Sequence, residues 1–482
     1  MRKLFGPVLY ICGILTLIMA AMMLAPTIFA FIYHDPEAHD FLFSAMLTIL
    51  LGASLVWFFR VPQIALSARQ LYLLTSSSWL VLSLTGAFPF IFSHHPMSIT
   101  NAIFESVSGI TTTGSTVMSD LKNVPHAILL WRSLLQWLGG LGVIGMAVSV
   151  LPFLRIGGMR LFQTESSDWS EKTMPRFQQF AKAVLTIYIA ITFLCSLCYW
   201  LAGMTVFDAI NHAMTTVSTG GYATDDLSMA RFDSKILLIS VIFMLLSAMP
   251  FMLYVRILIQ RSMKKFLDQQ VETFLAIIIL ATLILAGHLI ASKHIPVMDA
   301  ITHSAFNIVS MITTTGYASA DYTLWGHFSI ALFFLATFVG GCSGSTTGGM
   351  KIFRFQLSYL YLRDQLRKLV HPRGVFAIRY NGKVVENDII ASAAAFSFMF
   401  FVSLGAVTLL LTALGLDFLT SITAAVTALA NVGPGLGEII GPSGNFEPLP
   451  DIAKWILAVA MILGRLELFT VIILFSPVFW RG

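Results

Sequence analysis

Charge is what this sequence has least of. Asp, Glu, Lys and Arg make up 11% of its 482 residues, against about 25% in an ordinary soluble domain, which excludes a water-soluble globule of this length. Cysteine is scarce too: Cys12, Cys195, Cys198 and Cys342 all lie in or beside apolar runs. Cys195-x-x-Cys198 has no histidine or second pair to complete a zinc or redox motif, so the two read as small core residues on a helix. No P-loop, dinucleotide glycine fingerprint or kinase-like set occurs, and neither does HExxH or GxSxG. The longest polar stretches, about 155–177 and 352–387, hold a few tens of residues each. No ATP hydrolysis, no other enzymatic activity and no resident cofactor is therefore expected of this chain. The net charge of +5 gives no reason to expect a nucleic acid, because where the charges lie matters more than their sum. The first apolar run starts after Lys3 without a small-residue cleavage site, so it is expected to stay as a helix rather than be removed as a signal peptide.

Apolar sequence fills the chain instead, at 57% of residues. A helix needs about 20 apolar residues to cross the hydrocarbon core. Ten runs qualify: 4–33, 41–59, 71–93, 127–153, 178–203, 235–259, 272–292, 327–350, 388–413 and 452–478. Basic residues mark alternate ends of these runs. Arg2 and Lys3 precede the first, and Arg60 and Arg69 follow the second. Arg155, Arg160, Lys172 and Arg176 come next, then Arg261, Lys264 and Lys265. Arg363, Arg367, Lys368, Arg373, Arg379 and Lys383 follow the eighth run, and Arg481 ends the chain. The opposite loops carry Asp35, Glu37, Asp40, Asp225, Asp226, Asp233, Glu447 and Asp451. The positive-inside rule puts the basic loops and both termini in the cytoplasm. Anionic lipid headgroups or an acidic soluble partner would suit those loops equally well.

Between the third and fourth, fifth and sixth, seventh and eighth, and ninth and tenth runs, one phrase recurs. Residues 104–115 read FESVSGITTTGS, 210–221 INHAMTTVSTGG, 306–317 FNIVSMITTTGY and 423–434 TAAVTALANVGP. Aligned without gaps, they put Gly114, Gly220, Gly316 and Gly433 in register, 106, 96 and 117 residues apart. A polar triplet precedes each glycine except the last. Only about 11–15 helical residues precede each triplet, too few to span a bilayer. The pattern is that of four equivalent units, each a long helix, a short re-entrant helix, a polar loop and a second long helix. The units are expected at 69–155, 156–262, 263–370 and 371–482, after two extra N-terminal helices in 1–68.

One such triplet alone would read as a loop or a helix cap. Four of them entering from one face point to an ion path, because irregular backbone at membrane depth persists only where protein buries it or it lines water. Inward carbonyls can replace the hydration shell of a monovalent cation. Glycine lets successive carbonyls face one way, and each short helix directs its partly negative C-terminus at the ion. The expected ligands are Thr111, Thr112, Thr113 and Gly114; Ser218, Thr219, Gly220 and Gly221; Thr313, Thr314, Thr315 and Gly316; and Asn431, Val432 and Gly433. None is a carboxylate, which argues against a divalent ion. The common orientation of the units favours a central pore over alternating access between inverted repeats. A secondary transporter coupling entry of that cation to protons or sodium remains the alternative.

Two further features stand out. Residues 340–351 read GGCSGSTTGGMK inside an apolar run, and five glycines there cannot hold a regular helix well. Gly340, Gly341, Ser343, Gly344, Ser345, Thr346, Thr347, Gly348 and Gly349 form either a mobile obstruction below the ion site or a packing kink. Lys351 would position that loop or repel cations. Arg465 lies within the last run, where an unpaired charge is costly; Glu467, two residues on, is a poor helical partner. An acid on another helix would give it an ion pair. Gly139, Gly140 and Gly142 read as close helix packing, and Glu105, His212 and His303 as hydrogen-bonded packing residues.

Over essentially its whole length the chain resembles the Trk/Ktr/HKT superfamily of potassium transporters, most closely its TrkH/TrkG branch, including the two extra N-terminal helices. The resemblance implies an all-α polytopic membrane protein of ten transmembrane helices, its four membrane–pore–membrane repeats in pseudo-fourfold order around one pore. It implies that Gly114, Gly220, Gly316 and Gly433 form a potassium filter; in some sodium-favouring relatives the first is serine. The NVGPG form of the fourth segment matches the family's own. The resemblance also implies a gate at 340–351, Arg465 facing the pore as an electrostatic barrier, a homodimer, and a cytoplasmic nucleotide-binding regulator of the TrkA kind. It implies potassium as the substrate and residence in a bacterial cytoplasmic membrane.

Overall fold

The computed structural model describes residues 2–61, 66–149, 174–260, 268–374 and 376–481. The basic residues Arg155, Arg160, Lys172, Arg261, Lys264 and Lys265 lie outside the described residues.

The described chain is mostly helical. Helices α1 (Arg2–Ile32) and α2 (Ala38–Phe58) form an antiparallel pair. Gly13 and Gly52 let them cross closely, since a Cβ on Gly13 would stand 2.8 Å from Leu55 and one on Gly52 2.9 Å from Leu17. Helix α3 (Ala68–Gly86) starts with a capping box, Ser67 accepting from the Gln70 N–H and Gln70 from the Ser67 N–H. A turn at Phe88–Ile91 leads to the short helix α4 (Ile99–Ile110), and α5 (His126–Ser149) returns. The same order follows in α6 (Met174–Leu201), α7 (Val206–Val217), and α8 (Ser234–Ala248) with α9 (Phe251–Gln260). It continues in α10 (Gln269–Lys293), α11 (Val297–Ile312), α12 (His327–Phe338) and α13 (Ile352–Val370). Helices α14 (Asn387–Ala413), α15 (Phe418–Ala430) and α16 (Asp451–Arg465) complete it. Within 352–387 the chain is not a plain loop. Helix α13 leads into an antiparallel hairpin, Arg379–Tyr380 on Lys383–Val384, turned by Asn381 and Gly382 at φ 49° and 78°.

Among the described residues, seven helices are long and apolar enough to cross a membrane, or nine if two bent pairs each count as one span. Three of the ten expected runs are therefore not straight helices. Run 235–259 bends by 84° between α8 and α9, at Met249 and Pro250, where the missing proline N–H ends the ladder. Run 452–478 bends by 105° after Arg465, where Glu467 and Leu468 have φ 59° and 36°. Run 327–350 is helical only to Phe338. Beyond it the glycine-rich segment leaves the helix, as its backbone freedom predicts.

The buried core runs along the short helices α4, α7, α11 and α15, whose residues are covered on nearly every side. One face of each of α2, α10 and α14 leaves large apolar side chains exposed, among them Leu50, Leu283 and Leu409, as expected of surfaces that face lipid. Cys195 is buried in the core and Cys198 packs half-buried beside it.

Candidate ion-conduction site

Three of the four short helices begin alike, and α11 instead starts after Pro296 without a side-chain cap. Ser98, Thr205 and Asp417 cap α4, α7 and α15 by accepting from N–H groups at 3.2, 3.1 and 2.9 Å. At the other end Thr111, Ser218 and Thr313 cap α4, α7 and α11 in near-helical conformation. One residue later the chain turns left-handed in all four units, at Thr112, Thr219, Thr314 and Asn431, with φ 52°, 52°, 54° and 54°. Threonine rarely adopts that conformation. Each turn is closed by the next N–H, which reaches back five residues. Thr113 bonds to Ser108, Gly220 to Thr215, Thr315 to Ser310 and Val432 to Thr427, at 2.9, 2.9, 2.8 and 3.0 Å. A left-handed glycine then completes the turn: Gly114, Gly221, Gly316 and Gly433, with φ 86°, 77°, 80° and 112°.

This geometry corrects the gapless alignment in the second unit. Gly221, not Gly220, stands with Gly114, Gly316 and Gly433, because the left-handed residue is Thr219, one place later than letter-matching implies. Gly220 instead stands with Thr113, Thr315 and Val432.

The four turns close into a ring. A Cβ on Gly114 would meet the carbonyl of Gly220, one on Gly221 that of Thr315, and one on Gly316 that of Val432. One on Gly433 would meet the carbonyl of Thr113, each of the four closer than 3.0 Å. Every glycine thus borders the carbonyl of the next unit, in circular order. On one side of the ring lies a cavity of about 110 Å³ touching Gly114, Gly221, Gly316 and Gly433, with Asp225 and Asp226 on its wall. Burial disfavours charge on Asp225, but the Leu227 N–H and the Arg231 guanidinium, each at 3.0 Å, outweigh it and hold the carboxyl below its usual range.

Braces behind the ring come from residues the sequence reading passed over. Tyr222, after Gly221, donates its hydroxyl to the Glu105 carbonyl at 2.9 Å. Tyr317, after Gly316, pairs with the Thr215 hydroxyl at 2.5 Å. Ser115, after Gly114, donates to the Gly433 carbonyl at 2.8 Å. On α5, Arg132 bonds the buried Glu105 carboxylate at 2.8 Å and stacks on Tyr222; four residues on, Gln136 bonds the Gly220 carbonyl at 2.6 Å. A charge and an amide four apart on one face of an apolar run were the signal for both. Glu105, His212 and His303 are hydrogen-bonded packing residues, His212 to the Asp208 carbonyl and His303 to Ser319. Gly139 and Gly140 permit close approach of α5 to Ile110 and Ser218, whereas a Cβ on Gly142 would stand at an ordinary contact distance of 3.7 Å from Trp79.

On the opposite side of the ring, 340–351 folds back under it. Gly340 donates to the Met350 carbonyl at 2.8 Å, and Gly341 to the Thr347 hydroxyl at 3.2 Å. Ser343 donates its N–H to Gln270 at 2.6 Å, and Ser345 pairs with Thr347 at 2.8 Å. The loop grips the break in α8–α9: Cys342 bonds Ala248, Gly344 accepts from Phe251, and Thr346 bonds Ser247. It also touches the ring. Thr219 donates to Thr346 at 3.2 Å, and the Gly348 N–H donates to Thr314 at 2.7 Å. Gly344 and Gly349 are left-handed, at φ 77° and 66°, and a Cβ on Gly348 would strike Ala430. Lys351 donates its Nζ to the Thr347 carbonyl and hydroxyl, so it holds the loop.

Arg465 is buried at the bend after α16, and none of its guanidinium nitrogens has a hydrogen-bond partner among the described residues. With Lys351 and the loop it lines a cavity of about 30 Å³. Glu467 pairs instead with Arg354 of α13. The helical ion pair left open by the sequence thus belongs to Arg354.

Comparison with known proteins places the chain in a family. The family described as "TrkH: Cation transport protein" matches residues 38–481. The Trk system potassium uptake protein TrkI of Halomonas elongata is 47% identical over 481 residues, covering 99% of this chain and 97% of that one. The Trk system potassium uptake protein TrkH of Escherichia coli is 36% identical over 490 residues, covering 99% of both. The crystal structure of the potassium transporter TrkH from Vibrio parahaemolyticus superposes with a TM-score of 0.92 at 36% identity, covering 99% of this chain and 100% of that one. The chain belongs to the TrkH family of cation transport proteins.

Proposed function

We propose that this chain is the translocating subunit of a Trk-type potassium uptake system in a bacterial cytoplasmic membrane. The observation that carries it is the closed ring of four turns, each presenting a carbonyl beside the preceding unit's glycine. Potassium passes through that ring, losing its water to the carbonyls of Thr113, Gly220, Thr315 and Val432 and to the flanking hydroxyl-bearing residues. Four helix C-termini add partial negative charge around it. Asp225 and Asp226 concentrate cations at the outer mouth. Segment 340–351 obstructs the path from below, with Arg465 and Lys351 adding positive charge there. Basic residues such as Arg363, Arg367 and Lys368 on α13 support a cytoplasmic side for that end, with both termini inside. They also suit a TrkA-like nucleotide-binding regulator; a homodimer is the assembly the family resemblance favours.

The test is isotope flux into liposomes containing only the purified chain, under an imposed voltage. Uptake of potassium and rubidium with exclusion of sodium is expected once the loop is displaced or shortened. Potassium uptake that strictly follows a proton or sodium gradient, and ignores voltage otherwise, would replace the pore with coupled transport.

A further inference from the structure

We infer that Gln136 tunes cation selection by sharing one of the four ring carbonyls, so that the second unit contributes a weaker ligand than the other three. This rests on the filter proposed above. Gln136 is fully buried on α5, and its amide spans the peptide groups on either side of Gly221. The Tyr222 N–H stands 3.0 Å from Oε1, and the Gly220 carbonyl 2.6 Å from Nε2. An N–H can only donate, so the oxygen of the amide must face Tyr222 and the nitrogen must face Gly220. The two bonds fix each other's direction.

Gly220 occupies the ring position filled elsewhere by Thr113, Thr315 and Val432. Among the described residues, the carbonyls of those three accept from no side chain, whereas that of Gly220 accepts from Gln136. A carbonyl oxygen that already accepts a short hydrogen bond has less electron density to offer a cation. The donor's partial positive charge also opposes the field of that oxygen. The ring is then three strong ligands and one attenuated ligand. A weaker ligand field penalises most the ion that loses most on dehydration, so it disfavours sodium relative to potassium and rubidium. The same attenuation eases the ion's departure. Gln136 does not touch the ion and is a positioning residue.

The experiment compares sodium, potassium and rubidium flux for Gln136→Met and Gln136→Leu against the parent chain. Removing the donor is expected to raise the sodium-to-potassium flux ratio by roughly two- to tenfold, the span of one ordinary hydrogen bond. A purely structural role for Gln136 would lower all three fluxes together and leave the ratio unmoved, which overturns the inference. Gly114→Ser serves as the control for the filter itself. If it shifts the ratio and the Gln136 variants do not, only the role of Gln136 fails; if it too leaves the ratio alone, the filter assignment fails. Should the variants not fold, the parent chain answers by itself. In a structure of the parent chain with rubidium bound, the ion is expected off the ring's centre, farther from the Gly220 oxygen than from those of Thr113, Thr315 and Val432. Equal distances would refute it.

Discussion

Gly221→Ala separates the backbone register of the ring from the one that letter-matching implies. Gly221 sits at φ 77°, where a Cβ costs about 1–2 kcal/mol by itself. The methyl would also meet the Thr315 carbonyl, a backbone group that cannot rotate aside, and such overpacking costs about 1–3 kcal/mol. Roughly 2–5 kcal/mol in all falls on two adjacent turns of the ring. At 1.4 kcal/mol per tenfold, a turn distorted by that much weakens potassium occupancy by roughly thirty- to a few thousandfold. Gly220→Ala is different. Gly220 has no left-handed φ, and what its Cβ would meet is the amide of Gln136, the end of a side chain that can swing away. That variant is expected to conduct with the altered ratio of the Gln136 variants, and Gly221→Ala to lose potassium flux or discrimination. The assay is isotope flux in liposomes over a range of potassium concentrations, with folding checked by thermal unfolding. A Gly221→Ala protein with parental potassium affinity, beside a Gly220→Ala protein that conducts nothing, would reverse the assignment.

Arg465→Ala should raise potassium flux, since the guanidinium has no acid partner among the described residues; a folded variant with unchanged flux would remove Arg465 from the gate. Deleting residues 344–348 should raise flux more, because it removes the loop's bonds to Thr314, Thr219 and Ser247 together; unaltered flux in a folded protein would leave that segment a packing role alone. Arg132→Met strands the buried Glu105 carboxylate and should cost about 3–5 kcal/mol, much of it recovered in the double variant with Glu105→Gln. Thermal unfolding measures both, and equal loss in the single and double variants would show that the pair is not the cause. Glu37, buried between α1 and α2, has its carboxyl pushed up from 4.5 to about 7 by burial, with repulsion from Asp40 and Asp35 adding and the His94 N–H opposing. Because the folded state holds this proton more tightly than the unfolded one, stability from this group is greatest at acid pH and falls as pH rises through about 7. Melting temperature should therefore drop as pH rises from about 4.5 to about 7 and level off above, and Glu37→Gln should flatten that slope; an identical slope in the variant would assign it elsewhere.

The membrane class and most of the spans were legible because run length and charge scarcity act over twenty residues at a time. The bends were not, since each depends on one or two residues: Pro250, and the left-handed pair Glu467 and Leu468. The filter's second unit was misaligned for a related reason. A gapless match counts polar letters before a glycine, and in STGG it has two glycines to choose from. The backbone chooses by the sign of φ, which no propensity would have assigned to Thr219. A better anchor was present all along in the aromatic residue after the glycine. Tyr222 and Tyr317 each follow a left-handed glycine directly, and each reaches back to the preceding unit, to Glu105 and Ser115 in one case and to Thr215 and Thr216 in the other. Ser115 does the same toward Gly433, while Pro434 packs its ring against Gly316. The residue that ties one unit to the one before it must keep a fixed offset from the turn, because both ends of the tie are fixed in space. The triplet has no such constraint, as Asn431 and Val432 demonstrate. Aligned on the tie, the four glycines are Gly114, Gly221, Gly316 and Gly433, and the register of the ring follows from the sequence after all.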